Sequence, residues 1–184
     1  MKVVGFAGFS NSGKTTLVER LIPLMRAQGL RVSVVKHAHH RFDIDQPGKD
    51  TWRHRTAGAY EVVASSDLRM ALMREYEQPA EPMVHDLIAR LDAAVDWVFV
   101  EGFKESDLPK IEVWRSPAGD YPSQSLRFPH DPRIVAVAAD VPGERLPVPP
   151  GALPVFDVNA PAVLADWLRA SGERWAYRGM EVPA

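Results

Sequence analysis

The chain has 184 residues, enough for one domain with a substantial core, and its 46% hydrophobic and 25% charged residues are those of an ordinary globular protein. A net charge of −2 excludes a chain that grips nucleic acid by overall charge, and no apolar run reaches the roughly 20 residues of a membrane helix. The lack of cysteine excludes a disulfide framework and thiolate metal sites, and it fits a reducing, cytoplasmic compartment.

In chain order, Met1 to Phe6 is too short for a signal peptide, and Lys2 to Ala7 reads as a buried strand. Lys14 to Gln28 carries Leu17, Val18, Leu21, Ile22 and Met25 at the spacing of one helical face. Pro23 predicts a kink or break in that helix, and Gly29 its end. Arg31 to Lys36 is the next strand, which completes a parallel βαβ unit. Residues 37 to 58 are polar and charged, with a short helix expected near Asp50 to Ala57. Tyr60 to Ala64 and Leu68 to Arg74 read as strands around the turn Ser65-Ser66-Asp67. Glu81 to Ala94 shows helical spacing at Val84, Leu87, Ile88 and Leu91. Asp96 to Val100, Lys110 to Arg115, Arg133 to Ala138 and Leu153 to Val158 are further strands. Leu146 to Pro150 is an extended surface connection, and Ala160 to Ala170 a helix with Val163, Leu164, Trp167 and Leu168 on its apolar face. This alternation predicts an α/β fold in one domain: a mostly parallel sheet flanked by helices, with a β-hairpin inserted at about 59–75.

Gly8-Phe9-Ser10-Asn11-Ser12-Gly13-Lys14-Thr15 matches G-x-x-x-x-G-K-[ST] at every fixed position, with a strand before it and a helix after it. Glycines at Gly8 and Gly13 let successive N–H groups, those of Ser10, Asn11 and Ser12 among them, turn inward as an anion nest. The helix that starts near Lys14 adds its positive end. Lys14 is expected on the β and γ phosphates, the Thr15 hydroxyl on Mg²⁺ and Thr16 on the α phosphate. The motif predicts a P-loop NTPase and leaves the base open.

Such a site needs a carboxylate at the end of a neighbouring strand. Trp97-Val98-Phe99-Val100-Glu101 supplies one, for Mg²⁺ or for orienting an attacking water. Asp45 or Asp43, in the loop after the second strand, offers a further Mg²⁺ ligand. Lys36, His37, Lys49, Arg53 and Arg55 make that segment suited to a second anionic ligand, and Arg53 or Arg55 could act as an internal arginine finger. Residues 36 to 58 also carry Arg41, His39, His40 and His54; His37-Ala38-His39-His40 fits no named zinc motif, so these imidazoles are read as solvated or phosphate-contacting. His85 and His130 read as surface histidines. Asp140, closing the strand Arg133 to Ala138, could accept from guanine N1 and its exocyclic amine or simply form a turn, and the chain has no N-K-x-D motif.

The stretches "GFSNSGKTT", "VVKHAHHRFDIDQPGKDTWRHRTAGA" and "WVFVEGFK" together resemble the MobB family of molybdopterin-guanine dinucleotide biosynthesis adaptor proteins, over about residues 2 to 115. The second stretch is the specific one, since its pattern has no general phosphate-loop meaning. The resemblance implies a GTP-binding protein with weak GTPase activity. It would assist a guanylyltransferase (MobA-like) that joins GMP to molybdopterin, with molybdopterin itself as a further candidate ligand. The resemblance also implies a homodimer, for which the hairpin at 60 to 74 is the expected element; its unpaired strand edge favours such pairing. No nucleic acid or membrane partner is expected. A small-molecule P-loop kinase is the alternative, with residues 36 to 58 holding the acceptor and Asp45 as general base.

Overall fold

Every strand expected from an apolar run is present in the computed structural model, which describes residues 1–38, 43–117 and 125–179. His39, His40 and Arg41 lie outside them. The chain divides into two compact units, Met1–His37 with Met83–Ala184, and Ala38–Pro82. In chain order the elements are β1 (Lys2–Ala7), α1 (Lys14–Arg26), β2 (Val32–Lys36), α2 (Asp50–Thr56), β3 (Glu61–Ser65), β4 (Met70–Arg74), α3 (Val84–Ile88), β5 (Trp97–Glu101), β6 (Lys110–Trp114), β7 (Ile134–Ala139), β8 (Val155–Asp157) and α4 (Pro161–Ala170).

The larger unit is built on a six-stranded sheet of order β2-β5-β1-β6-β7-β8 in which every pair is parallel. Parallel sheets are covered on both faces, so strand side chains alternate between two cores. Val4, Phe6, Trp97, Phe99, Ile111, Val113, Ala136 and Ala138 point to the side packed by α1, α4 and Trp175. Val3, Val35, Val98 and Val100 point to the other side, against Val84 and Ile88 of α3.

α1 buries Leu17, Val18, Leu21 and Met25, each worth about 1.5–3 kcal/mol of transfer free energy. The helix runs through Pro23 without dividing. Proline there removes the bond to the carbonyl of Glu19, but both residues are exposed and water can serve that carbonyl. Gly29, at φ +76°, closes the helix, with Leu30 N–H reaching back to the Met25 carbonyl at 3.4 Å.

α3 is shorter than the spacing at 81–94 predicts. It starts at Val84, just after Pro82, and gives way after Ile88 to a turn in which the Asp92 side chain accepts from Ala94 N–H at 2.8 Å. Aspartate offers the backbone a partner that competes with a helix. Two apolar faces also differ from expectation: Val163 of α4 is 60% exposed, and Leu146, in the proline-rich connection, is buried against Trp114 and Val137.

In the smaller unit β3 and β4 form an antiparallel hairpin with Val63 opposite Leu72. Ser66 closes its turn, the hydroxyl accepting from Leu68 and Arg69 N–H. Val62 is buried on one face. The other face leaves Val63, Met70 and Leu72 exposed, with Leu68 91% exposed at the tip.

β6 carries two ionisable residues into the interior. Lys110 and Glu112 are each 1% exposed. They lie on a stretch of sheet covered by loops, and covering loops bring backbone polar groups that need partners. Lys110 Nζ donates to the carbonyls of Lys104 (3.1 Å) and Ser106 (2.6 Å) and pairs with Asp131 at 2.9 Å. Glu112 accepts from the N–H groups of Arg127 (2.7 Å) and Phe128 (2.9 Å). Burial pushes the Glu112 carboxyl up from its ordinary range, and those two N–H groups hold it back. Gly5, the register partner of Lys110, makes room for the lysine stem: a Cβ there would lie 2.7 Å from Lys110 Cγ. Lys110→Met, which strands Asp131 and two carbonyls, is expected to lower the unfolding free energy by about 3 kcal/mol in urea titrations. An unchanged midpoint would show that these groups find other partners.

Candidate functional site

The chain leaves β1 through a tight loop. Gly8 has φ +142°, and a Cβ on it would lie 2.3 Å from the Val113 carbonyl oxygen of β6, so no side chain fits. Asn11 (φ 63°) and Gly13 (φ 92°) both take left-handed backbone, which curls Ser10, Asn11 and Ser12 into a compact loop. Ser12 is 2% exposed, and its hydroxyl has no hydrogen-bond partner among the described residues. Gly13 then caps α1 with no side-chain cap and no acidic residue in the first turn. The first amides of the helix, at Lys14, Thr15 and Thr16, therefore offer their positive end to an outside anion.

Lys14 folds back over the loop, its Nζ donating to the Phe9 carbonyl at 2.6 Å and the Gly8 carbonyl at 3.0 Å. Burial lowers its pKa; the Glu101 charge opposes that shift and the Lys36 charge adds to it. Lys14 thus brings a poorly solvated ammonium to the loop, ready to meet anionic oxygen.

Glu101 ends β5 with 7% exposure. The Thr15 hydroxyl donates to its Oε1 at 2.6 Å, and Lys36 Nζ lies 3.2 Å from the same oxygen. The backbone fixes it there: Phe6 and Lys36, in the flanking strands, are its register partners, and its carbonyl accepts from His37 N–H at 2.9 Å. Gly102 (φ 90°) and Phe103 (φ 45°) turn the chain sharply afterwards. Phe103 then stacks on the His37 ring at 4.7 Å. His37, expected among the groups for a second ligand, is thus packed against this turn.

Thr15 and Glu101 form a pair of hard oxygen donors, the set Mg²⁺ takes when phosphates and water supply its other ligands. Among the described residues no group of three His, Cys, Asp or Glu side chains could hold a metal alone. The donor set therefore suits a cation that arrives with a polyphosphate.

The remaining expected residues are placed as follows. Asp45, Lys49, Arg53 and Arg55 belong to the smaller unit. Arg55 pairs there with Asp43 (3.0 Å) and Glu75 (3.5 Å), so its guanidinium is committed to acidic neighbours. The Asp45 N–H, with Arg55 beside it, holds the Asp43 carboxyl below its ordinary range. Asp45 accepts from Gln46 N–H at 2.9 Å, and Arg53 pairs loosely with Asp50. Asp140 directly follows β7, and its carboxylate accepts from Ser116 N–H (2.7 Å) and hydroxyl (3.0 Å), tying the ends of β6 and β7 together. It also lines a cleft of about 820 Å³ with Val141, Pro142, Phe156 and Asp157.

Two features had no signal in the sequence. Arg115, just past β6, lays its guanidinium on the loop: a Cβ on Gly13 would lie 2.9 Å from its Nε. His85 is no free surface group, since its ring joins Tyr177 and Asp107, each at 2.8 Å.

The model of the family described as molybdopterin guanine dinucleotide synthesis protein B matches residues 3–140. The molybdopterin-guanine dinucleotide biosynthesis adapter protein of Escherichia coli is 40% identical over 141 residues, 76% of this chain and 79% of that protein. The protein of the same name from Haemophilus influenzae is 36% identical over 177 residues, 95% of this chain and 89% of that one. Among solved structures, the MobB homologue of Bacillus stearothermophilus superposes with a TM-score of 0.65 at 25% identity, covering 94% of this chain and 99% of that one. With its phosphate-loop geometry, its carboxylate at the end of β5 and a family match over residues 3–140, the chain belongs to the MobB family.

Proposed function

We propose that this protein binds Mg·GTP at the loop between β1 and α1 and serves as an adaptor in molybdopterin-guanine dinucleotide biosynthesis, assisting a guanylyltransferase that attaches GMP to molybdopterin. One observation carries the reading: Lys14, Thr15 and Glu101 converge at the C-terminal edge of the parallel sheet, the edge at which such sheets take ligands. In this reading the amides of Ser10 to Thr16 and the Lys14 ammonium hold the triphosphate, and Thr15 with Glu101 holds the divalent cation. The cation would supply charge neutralisation of the β and γ phosphates. The purine would lie toward the cleft beside Asp140, on the same sheet edge. The names of the relatives support the biosynthetic step. Family membership also favours an adaptor over the small-molecule kinase that residues 36 to 58 suggested.

Hydrolysis by the protein alone is expected to be slow. In this reading Glu101 is spent on the divalent cation once the nucleotide is bound, which leaves it a poor base for water. The exposed face of Val63, Met70 and Leu72 is the proposed surface of a homodimer, since a two-stranded hairpin with an apolar face gains stability by covering it.

Lys14→Ala should weaken triphosphate binding by about 3 kcal/mol, roughly a hundredfold, with an unchanged circular dichroism spectrum. Equal affinity in calorimetry would sink the loop as the binding site. For the dimer, Met70→Glu with Leu72→Glu should give monomers in sedimentation equilibrium where the unmodified chain gives dimers. A monomeric unmodified chain, or a variant of the same mass as its parent, would rule out the hairpin interface.

A further inference from the structure

Lys36 closes β2 as the register partner of Glu101, so the two side chains leave the sheet on the same face. Its ammonium stands 3.2 Å from Glu101 Oε1 and 3.3 Å from Thr15 Oγ1. Those are the two oxygens assigned above to the divalent cation. Resting on the Mg·nucleotide reading, we propose that Lys36 is a tethered cation that neutralises Glu101 in the nucleotide-free protein and yields that place to Mg²⁺ when it arrives with the nucleotide, thereby setting how strongly nucleotide binding depends on the metal.

Three physical points carry this. A carboxylate as buried as Glu101 needs a positive partner at all times, because an uncompensated charge in that position is costly. Lys36 can supply one and also withdraw it: its side chain is 52% exposed, on a flexible four-carbon stem, so water can take the ammonium when it leaves. The two cations also exclude one another, since a divalent ion and an ammonium on the same oxygen repel strongly at that range. Lys36 is therefore a positioning residue for the metal and does not compete with Lys14 for the phosphates.

Lys36→Met tests the proposal with two readouts that need no turnover. The first is the affinity for guanosine triphosphate measured by calorimetry in Mg²⁺ and in EDTA. Without the ammonium, Glu101 faces the phosphates bare when metal is withheld, and the metal meets no competitor when it is supplied. The ratio of the two affinities is expected to rise roughly tenfold over that of the unmodified protein. The second is Mn²⁺ titration of the nucleotide-free protein, followed by electron paramagnetic resonance, where the variant should bind Mn²⁺ more tightly by a similar factor. A change of less than about threefold in either readout overturns the proposal. Lys36→Arg keeps the charge and should keep both readouts near those of the unmodified protein; an arginine variant that behaves like the methionine one also overturns it, because a strand-end contact would then explain the data. If the unmodified protein binds no triphosphate at any metal concentration, the nucleotide reading fails, and the Mn²⁺ titration still reports on Lys36 separately.

Discussion

The C-terminal edge of the sheet depends on how closely the chain passes β6 as it leaves β1. At Gly8 the backbone sits where a Cβ would be 2.3 Å from a β6 carbonyl oxygen and 2.8 Å from the Ser12 hydroxyl. That approach sets the direction in which the loop starts. The left-handed residues Asn11 and Gly13 then bring it round, so that α1 begins at Lys14 beside the end of β5. Burial of Leu17, Val18, Leu21 and Met25 holds the helix in place, and the helix in turn holds Thr15 2.6 Å from Glu101, 86 residues away. The loop contributes geometry, and the hydrophobic face of α1 contributes the stability that keeps that geometry rigid.

Charge is handled differently on the two sides of this edge. At the loop, Lys14 and Lys36 together outweigh Glu101, which leaves a local positive excess where an anion could add to the balance. At β6 the charges are closed in. Lys110 and Glu112 spend their donors and acceptors on the backbone of the segments that cover the sheet, and Asp131 neutralises the lysine. A helix would have satisfied its own backbone; loops do not, and full charges in the interior are the means by which this face is covered. Since Lys110 anchors the carbonyls of residues 104 and 106, it also fixes the segment that follows Glu101 and so supports the site from behind.

Much of this was legible in the residues. Strands with unbroken apolar runs declare themselves, and the phosphate-loop motif identifies its own strand and helix. Lys-Ile-Glu-Val-Trp of β6 alternates polar and apolar residues, a pattern that does not announce a strand buried along its whole length, yet all five residues are buried. The covering segments, around residues 104–106 and 127–131, flank β6 in the chain, but no pattern of their own announces that they fold over it. The pairing of Lys36 with Glu101 was hidden for another reason: 65 positions separate them, and only the parallel register of β2 with β5 brings them opposite. In the sequence alone Lys36 stood out as one basic residue among several. Arg115 was hidden because its contact is with a glycine that has no side chain to suggest a partner. α3 failed at its C-terminal end, where Asp92 gave the backbone a turn in place of another helical bond.

A site arranged in this way is better suited to holding a nucleotide than to spending it. Fast phosphoryl transfer to water needs a group with a free lone pair beside the γ phosphate and a cation that strengthens its hold as charge moves to the leaving group. In the proposed complex the Glu101 carboxylate is given over to the divalent cation, and the Arg55 guanidinium is taken up by Asp43 and Glu75. The guanidinium that does lie on the loop, that of Arg115, is packed against Gly13 at the start of α1. On the proposed reading a cation seated there would strengthen the hold on phosphate before any reaction begins, which would deepen the ground state as much as the transition state and leave the barrier where it was. Slow turnover is the behaviour the proposed adaptor role requires, since the nucleotide would then still be intact when a partner enzyme meets it.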